Sequence, residues 1–121
     1  MKDNLLSNCR VLVVEDEMMV LMMIEDILAD LGCEVSAAAT VDEALALIGA
    51  QGFDVATLDV NLNGHKSYPV ADALAARGVP FVFATGYGDR GTSDGYRDRP
   101  VLKKPFQDEQ LVEALTSLLT R

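Results

Sequence analysis

The sequence predicts a doubly wound α/β domain, a five-stranded parallel sheet between two helix layers. Three observations carry that expectation. Short strand-type runs alternate with helix-type apolar patterns along the whole chain. The strand runs are apolar throughout instead of alternating with polar residues, as in parallel strands buried on both faces. The length of 121 residues is enough for one such domain and short for a second, so no output domain is expected.

The first strand is Arg10 to Val14, a β-branched run. Asp16 to Leu31 follows as a long apolar-periodic helix stopped by Gly32. Glu34 to Ala38 reads as a weaker, edge-like strand. Thr40-Val41-Asp42-Glu43 has capping-box spacing, and Val41, Ala44, Leu45 and Ile48 then mark one face of a helix closed by Gly49 and Gly52. Phe53 to Leu58 is a buried-strand candidate that runs directly into Asp59. Pro69 opens a short helix ending near Arg77-Gly78, and Pro80 to Thr85 is the next strand. From Gly86 to Arg99 the chain is rich in glycine and poor in apolar periodicity, which predicts a short or unstable fourth helix. Val101 to Lys103 is the last strand, and Leu111, Leu115, Leu118 and Leu119 form the core stripe of the last helix.

Composition narrows the function. The formal charge is −9, from 10 basic and 19 acidic side chains, a field that repels nucleic acid and anionic membrane surfaces. Neither a bilayer-length apolar run nor a signal-like N-terminus is present, so the cytoplasm is the expected location. Cys9 and Cys33 are the two thiols, form no C-x-x-C pair and lie far from His65 in sequence, which reads as buried free thiols in a reducing compartment.

In doubly wound sheets, functional residues collect beyond the carboxyl ends of the strands, where strand order reverses. Those positions hold Glu15 and Asp16 after the first strand, Asp59 after the third, Thr85 at the end of the fourth and Lys104-Pro105 after the fifth. Three carboxylates brought together repel one another, so the site calls for a cation. Oxygen ligands suit a hard ion such as Mg²⁺, bound through one or two carboxylates and a substrate phosphate oxygen.

Val13-Val14-Glu15-Asp16, Asp59-Val60-Asn61-Leu62-Asn63-Gly64, Ala84-Thr85-Gly86 and Lys104-Pro105-Phe106 match, in order, the four motifs of bacterial response-regulator receivers. The chain resembles that family over nearly its full length. The resemblance implies a flavodoxin-like fold with strand order 2-1-3-4-5. It also implies that Asp59 takes a phosphoryl group from a phosphohistidine on a sensor histidine kinase or phosphotransfer protein. Mg²⁺ would be held by Asp16, Asp59 and the backbone carbonyl of Asn61, with Glu15 acting directly or through water. Thr85 and Lys104 would each hold a phosphoryl oxygen. The residue types fit the chemistry, because a carboxylate attacking phosphorus needs charge on the equatorial oxygens neutralised by metal and a fixed cation.

Lys103 rivals Lys104, but it points to the opposite face of an extended strand and does not precede the proline that restrains its neighbour. Taken singly, these residues have plainer readings: Glu15 and Asp16 as helix N-terminal acids, Thr85 as a buried strand hydroxyl, Lys104 as a surface charge. Their convergence on one sheet edge is what those readings leave unexplained.

Two features depart from the common receiver pattern or extend it. Receivers carry Tyr or Phe three residues before the motif lysine, and here that position is Val101. The run from Pro80 to Gly88 resembles instead the FAT GUY receivers of alphaproteobacteria, which lack that aromatic. A readout through Thr85 and the segment Gly86 to Arg99, with Tyr87 as an aromatic reporter, is the corresponding expectation. On the first helix, Val20, Met23, Ile24, Ile27, Leu28 and Leu31 share one face, while Met18 and Met22 project with Glu25 on the other. Those two methionines are expected to contribute to docking of the phosphohistidine-bearing helices.

A competing class is the haloacid-dehalogenase type of phosphatase, which also pairs an Asp nucleophile with Mg²⁺. It requires a second acid two residues after the nucleophile, where this chain has Asn61. The expectation is therefore a phosphoacceptor and not a conventional enzyme, serving as a phosphate sink or as an adaptor for a protein target.

Overall fold

The computed structural model describes residues 6–62, 64–85 and 101–119. Its elements are β1 (Arg10–Val14), α1 (Met18–Asp30), β2 (Glu34–Ala38), α2 (Val41–Ala50), β3 (Val55–Asp59), β4 (Asn61–Leu62), β5 (His65–Lys66), α3 (Tyr68–Ala76), β6 (Phe81–Thr85), β7 (Val101–Lys103) and α4 (Asp108–Leu119). The main sheet is parallel with order β2-β1-β3-β6-β7, the expected 2-1-3-4-5 once the small hairpin β4-β5 is counted separately. The segment expected to form a weak fourth helix, Tyr87 included, lies outside the described residues.

Because side chains alternate along a strand, each central strand feeds two cores. Leu12, Val14, Ala56, Leu58, Phe81 and Phe83 point to the side covered by α2 and α3, where they meet Ala44, Ile48, Val70 and Leu74. Val11, Val13, Val55, Val82 and Ala84 point the other way, against Leu21, Ile24 and Leu28 of α1 and Leu111, Leu115 and Leu118 of α4. Leu119 is only partly buried against that second core, and so are Cys9 and Cys33, which were expected to be buried but pack at its margin. Phe81 and Phe83 meet edge to face at 5.3 Å, and Tyr68 of α3 meets Phe83 the same way at 6.1 Å.

Several element boundaries differ from the sequence reading. Helix α1 begins at Met18, so Asp16 stays in the loop after β1, where its carboxylate can face the sheet edge. The helix stops as expected, with Gly32 at φ +87°. Helix α2 runs through Gly49 to Ala50, because that glycine sits on the exposed face, where it breaks no packing. At its start, the Thr40 hydroxyl accepts from the Glu43 N–H at 3.1 Å, and Glu43 reaches back to the N–H of Ala39 at 2.8 Å. The cap is thus reciprocal, with the return bond shifted by one residue. Strand β3 starts at Val55 and includes Asp59; Asp54 instead ties the strand entry to Arg10, accepting its N–H at 2.8 Å.

The face of α1 is also rotated from the expected one. Leu21, Ile24 and Leu28 are the buried residues, with Val20, Ile27 and Leu31 at the margin. Met23, expected on the core side, is 37% exposed, while Met18, Met19 and Met22 are 60%, 83% and 55% exposed. Apolar residues occupy most of the helix circumference, so periodicity left the phase open, and the core that includes Val11 and Val13 takes in Leu21, Ile24 and Leu28.

Candidate functional site

The parallel register brings the strand ends together. Val14 pairs with Leu58 and Asp59 with Ala84, so Glu15, Asp59 and Thr85 emerge at one edge of the sheet. Strand β7 pairs Lys103 with Thr85, and the Lys104 N–H then donates to the Thr85 carbonyl at 2.8 Å, which brings Lys104 to the same edge. Lys103 is exposed in the strand, whereas Lys104 is partly buried, so the choice between the two lysines falls as expected. The Lys104–Pro105 peptide is cis.

The Lys104 ammonium sits among three carboxylates. It lies 2.7 Å from Glu15 Oε1, 3.1 Å from Asp59 Oδ2 and 3.5 Å from Glu17 Oε1. The second oxygen of Glu15 accepts the Glu17 N–H at 3.0 Å. Asp59 Oδ1 accepts the Asn61 N–H at 3.3 Å. Glu15 and Asp59 are buried, and Asp16 is partly buried beside them. One carboxylate oxygen from each of Glu15, Asp16 and Asp59 falls within 4.8 Å of the others.

Burial, then the field of Glu15, pushes the Asp59 carboxyl up to about 7, although Lys104 works in the opposite direction. Burial alone would lower the Lys104 ammonium, but its hydrogen bond to Glu15 and the fields of Asp59 and Glu15 outweigh that and hold it above the ordinary lysine value. The site is therefore crowded with negative charge that one lysine only partly balances. A second hard cation held by carboxylate oxygen would relieve it, and the donor set of Glu15, Asp16 and Asp59 suits a magnesium-type ion.

Of the expected residues, Glu15, Asp16, Asp59, Asn61, Thr85 and Lys104 all reach this edge. Two features were missed. Glu17 joins the lysine cluster, and its only signal in the sequence was its place in the acidic run Glu15-Asp16-Glu17 at a strand end. The hairpin β4-β5, which pairs Asn61 with Lys66 and Leu62 with His65, carries Gly64 at φ +87° and was signalled by the Asn63-Gly64 pair.

A parallel sheet of this order with an acid cluster and a lysine at its switch point is the architecture of a receiver-type fold. The response regulator receiver domain model matches residues 11–116, and the chain belongs to that family. It is similar to SdrG from Sphingomonas melonis Fr1, with 49% identity and a TM-score of 0.83 over 93% of this chain and 97% of that one. The BeF3-activated conformation of SdrG from Pseudomonas melonis Fr1 matches with the same 49% identity and a TM-score of 0.77, over 93% and 98% of the two chains. Among curated proteins, it is 31% identical over 93% of its length to a probable transcriptional regulator, ycf27, of Cyanophora paradoxa. The chain spans about half the length of the curated relatives it matches, 48% for ycf27 and 51% for nodulation protein W of Bradyrhizobium diazoefficiens. Among the described residues no helix is long and apolar enough to cross a membrane.

Proposed function

We propose that this receiver domain accepts a phosphoryl group on Asp59 from the phosphohistidine of a sensor histidine kinase or phosphotransfer protein. The observation that carries the reading is the placement of Asp59: at the sheet edge, within the acid trio, 3.1 Å from the Lys104 ammonium. An Asp59 oxygen attacks phosphorus, the P–N bond to the donor imidazole breaks, and the imidazole, protonated on its other ring nitrogen, leaves as the neutral base with that bond's electron pair. Lys104 releases Asp59 and turns to an oxygen of the transferred group, which needs only a short movement of a side chain already at the site. The Thr85 hydroxyl, from the neighbouring strand end, takes another phosphoryl oxygen. Glu15 holds Lys104 throughout, since its closest contact is with that carboxylate.

Asp16, Asp59 and the Asn61 carbonyl would hold Mg²⁺, with Glu15 contributing through water, because its two oxygens are already engaged by Lys104 and the Glu17 N–H. Bound there, Mg²⁺ supplies charge neutralisation for the transferring phosphoryl oxygens.

The exposed methionines of α1 support a docking role toward the donor. The product then acts through protein contacts or as a phosphate sink, and the protein is not a conventional enzyme. Incubation with autophosphorylated histidine kinases and Mg²⁺ tests the reading. Label should pass to the wild-type chain and not to Asp59→Asn; label that persists in that variant refutes it.

A further inference from the structure

Glu17 occupies the N-cap of α1, yet its side chain makes no capping hydrogen bond. Glutamate is not a preferred cap residue, and only its backbone serves the helix here, with the Glu17 carbonyl accepting the Leu21 N–H at 2.9 Å. The carboxylate turns instead to Lys104, at 3.5 Å, while remaining 66% exposed. It thus stands at the solvent side of the lysine whose inner side faces Asp59 and Glu15. The Glu17 charge therefore lies near Asp59, with one ammonium between them, and competes for Lys104 with any anionic group brought to Asp59.

We propose that Glu17 is a positioning and specificity-determining residue, which holds Lys104 in the resting site and disfavours small, free anionic phosphoryl donors. The inference rests on the reading of Asp59 as phosphoacceptor. A protein donor brings its own docking contacts, which offset the cost of approaching this charge, whereas a small dianion has none. Because Glu17 is exposed, its hold on Lys104 is weak enough to be released when a phosphoryl group is in place.

The test compares Glu17→Gln with wild type at saturating Mg²⁺, with label followed by intact mass. Gln keeps the shape and an acceptor oxygen and removes the charge. With acetyl phosphate, a dianion, the variant should take up phosphoryl on the order of three- to tenfold faster at low ionic strength. With phosphoramidate, whose amine proton offsets much of its charge, the gain should be smaller, and both gains should shrink as salt rises. A purely structural role would alter both donors by one factor at every salt concentration, and that outcome, like no change at all, overturns the proposal. Beryllofluoride binding gives a second readout: the variant should bind this anion several-fold tighter at low salt, and equal affinity counts against the inference. Asp59→Asn run alongside separates the two claims. Label persisting in Asp59→Asn removes the phosphoacceptor reading itself; label lost there, with Glu17→Gln behaving as wild type, removes only the role of Glu17.

Discussion

The shortest ion pair of the site joins Lys104 to Glu15, at 2.7 Å, not to Asp59 at 3.1 Å. Glu15 therefore anchors the lysine, and on the proposed function its longer contacts with Asp59 and Glu17 are the ones given up to a phosphoryl group. Removing the lysine strands two buried carboxylates. Lys104→Ala should lower stability by about 3 kcal/mol in chelator at pH 8, in keeping with the cost of breaking a buried pair. Mg²⁺ should reduce the deficit. Urea denaturation with and without the ion measures both, and an unchanged midpoint in chelator would contradict the arrangement.

The raised Asp59 carboxyl gives a stability profile of defined sign. Its folded value of about 7 lies above the ordinary carboxyl value of 3.8, so between these values the native state holds a proton that the unfolded chain has lost. Metal-free protein should accordingly lose stability as pH rises from about 4 to about 7, by a few kcal/mol at most. Asp59→Asn should flatten that slope and be more stable than wild type at pH 8 in chelator. Parallel slopes in the two proteins would show that Asp59 does not titrate in this range.

Cation binding should relieve the same repulsion. At 100 times its dissociation constant, Mg²⁺ should stabilise the wild-type fold by about 2.7 kcal/mol. Asp16→Asn should need more ion for the same shift in thermal midpoint, since it removes one of the three clustered carboxylates. An Asp16→Asn midpoint that responds to Mg²⁺ as wild type does would exclude Asp16 as a ligand.

The methionines of α1 separate docking from folding. Met18→Lys with Met22→Lys changes two exposed positions, so stability should stay within about 0.5 kcal/mol per site. Phosphotransfer from a cognate kinase should slow several-fold, while uptake from a small donor stays near wild type. An unchanged transfer rate would place the docking surface elsewhere.

Much of the site was legible because its residues stand at strand ends, and strands announce themselves through local apolar runs. Asp59 follows one such run, and the lysine was separable from Lys103 by strand alternation and the following proline. Less legible were features set by contacts between distant segments. The rotation of α1 depended on which of several apolar stripes met Val11 and Val13, and Met23 was misplaced for that reason. Gly49 looked like a helix stop because glycine weakens helices, but on an exposed face the cost of about 1 kcal/mol is tolerated.

By itself, the sequence determined the alternation of elements, the parallel sheet, and the gathering of Glu15, Asp16, Asp59, Thr85 and Lys104 at its edge. Periodicity and strand position are local properties, and they suffice for that. Tertiary structure decided how charge is shared there: that Glu15 holds Lys104 most closely, and that Glu17 turns from its helix cap to the same ammonium. Those choices depend on distances between residues nearly ninety positions apart, and such distances are set by the packing of β7 and α1 about the sheet.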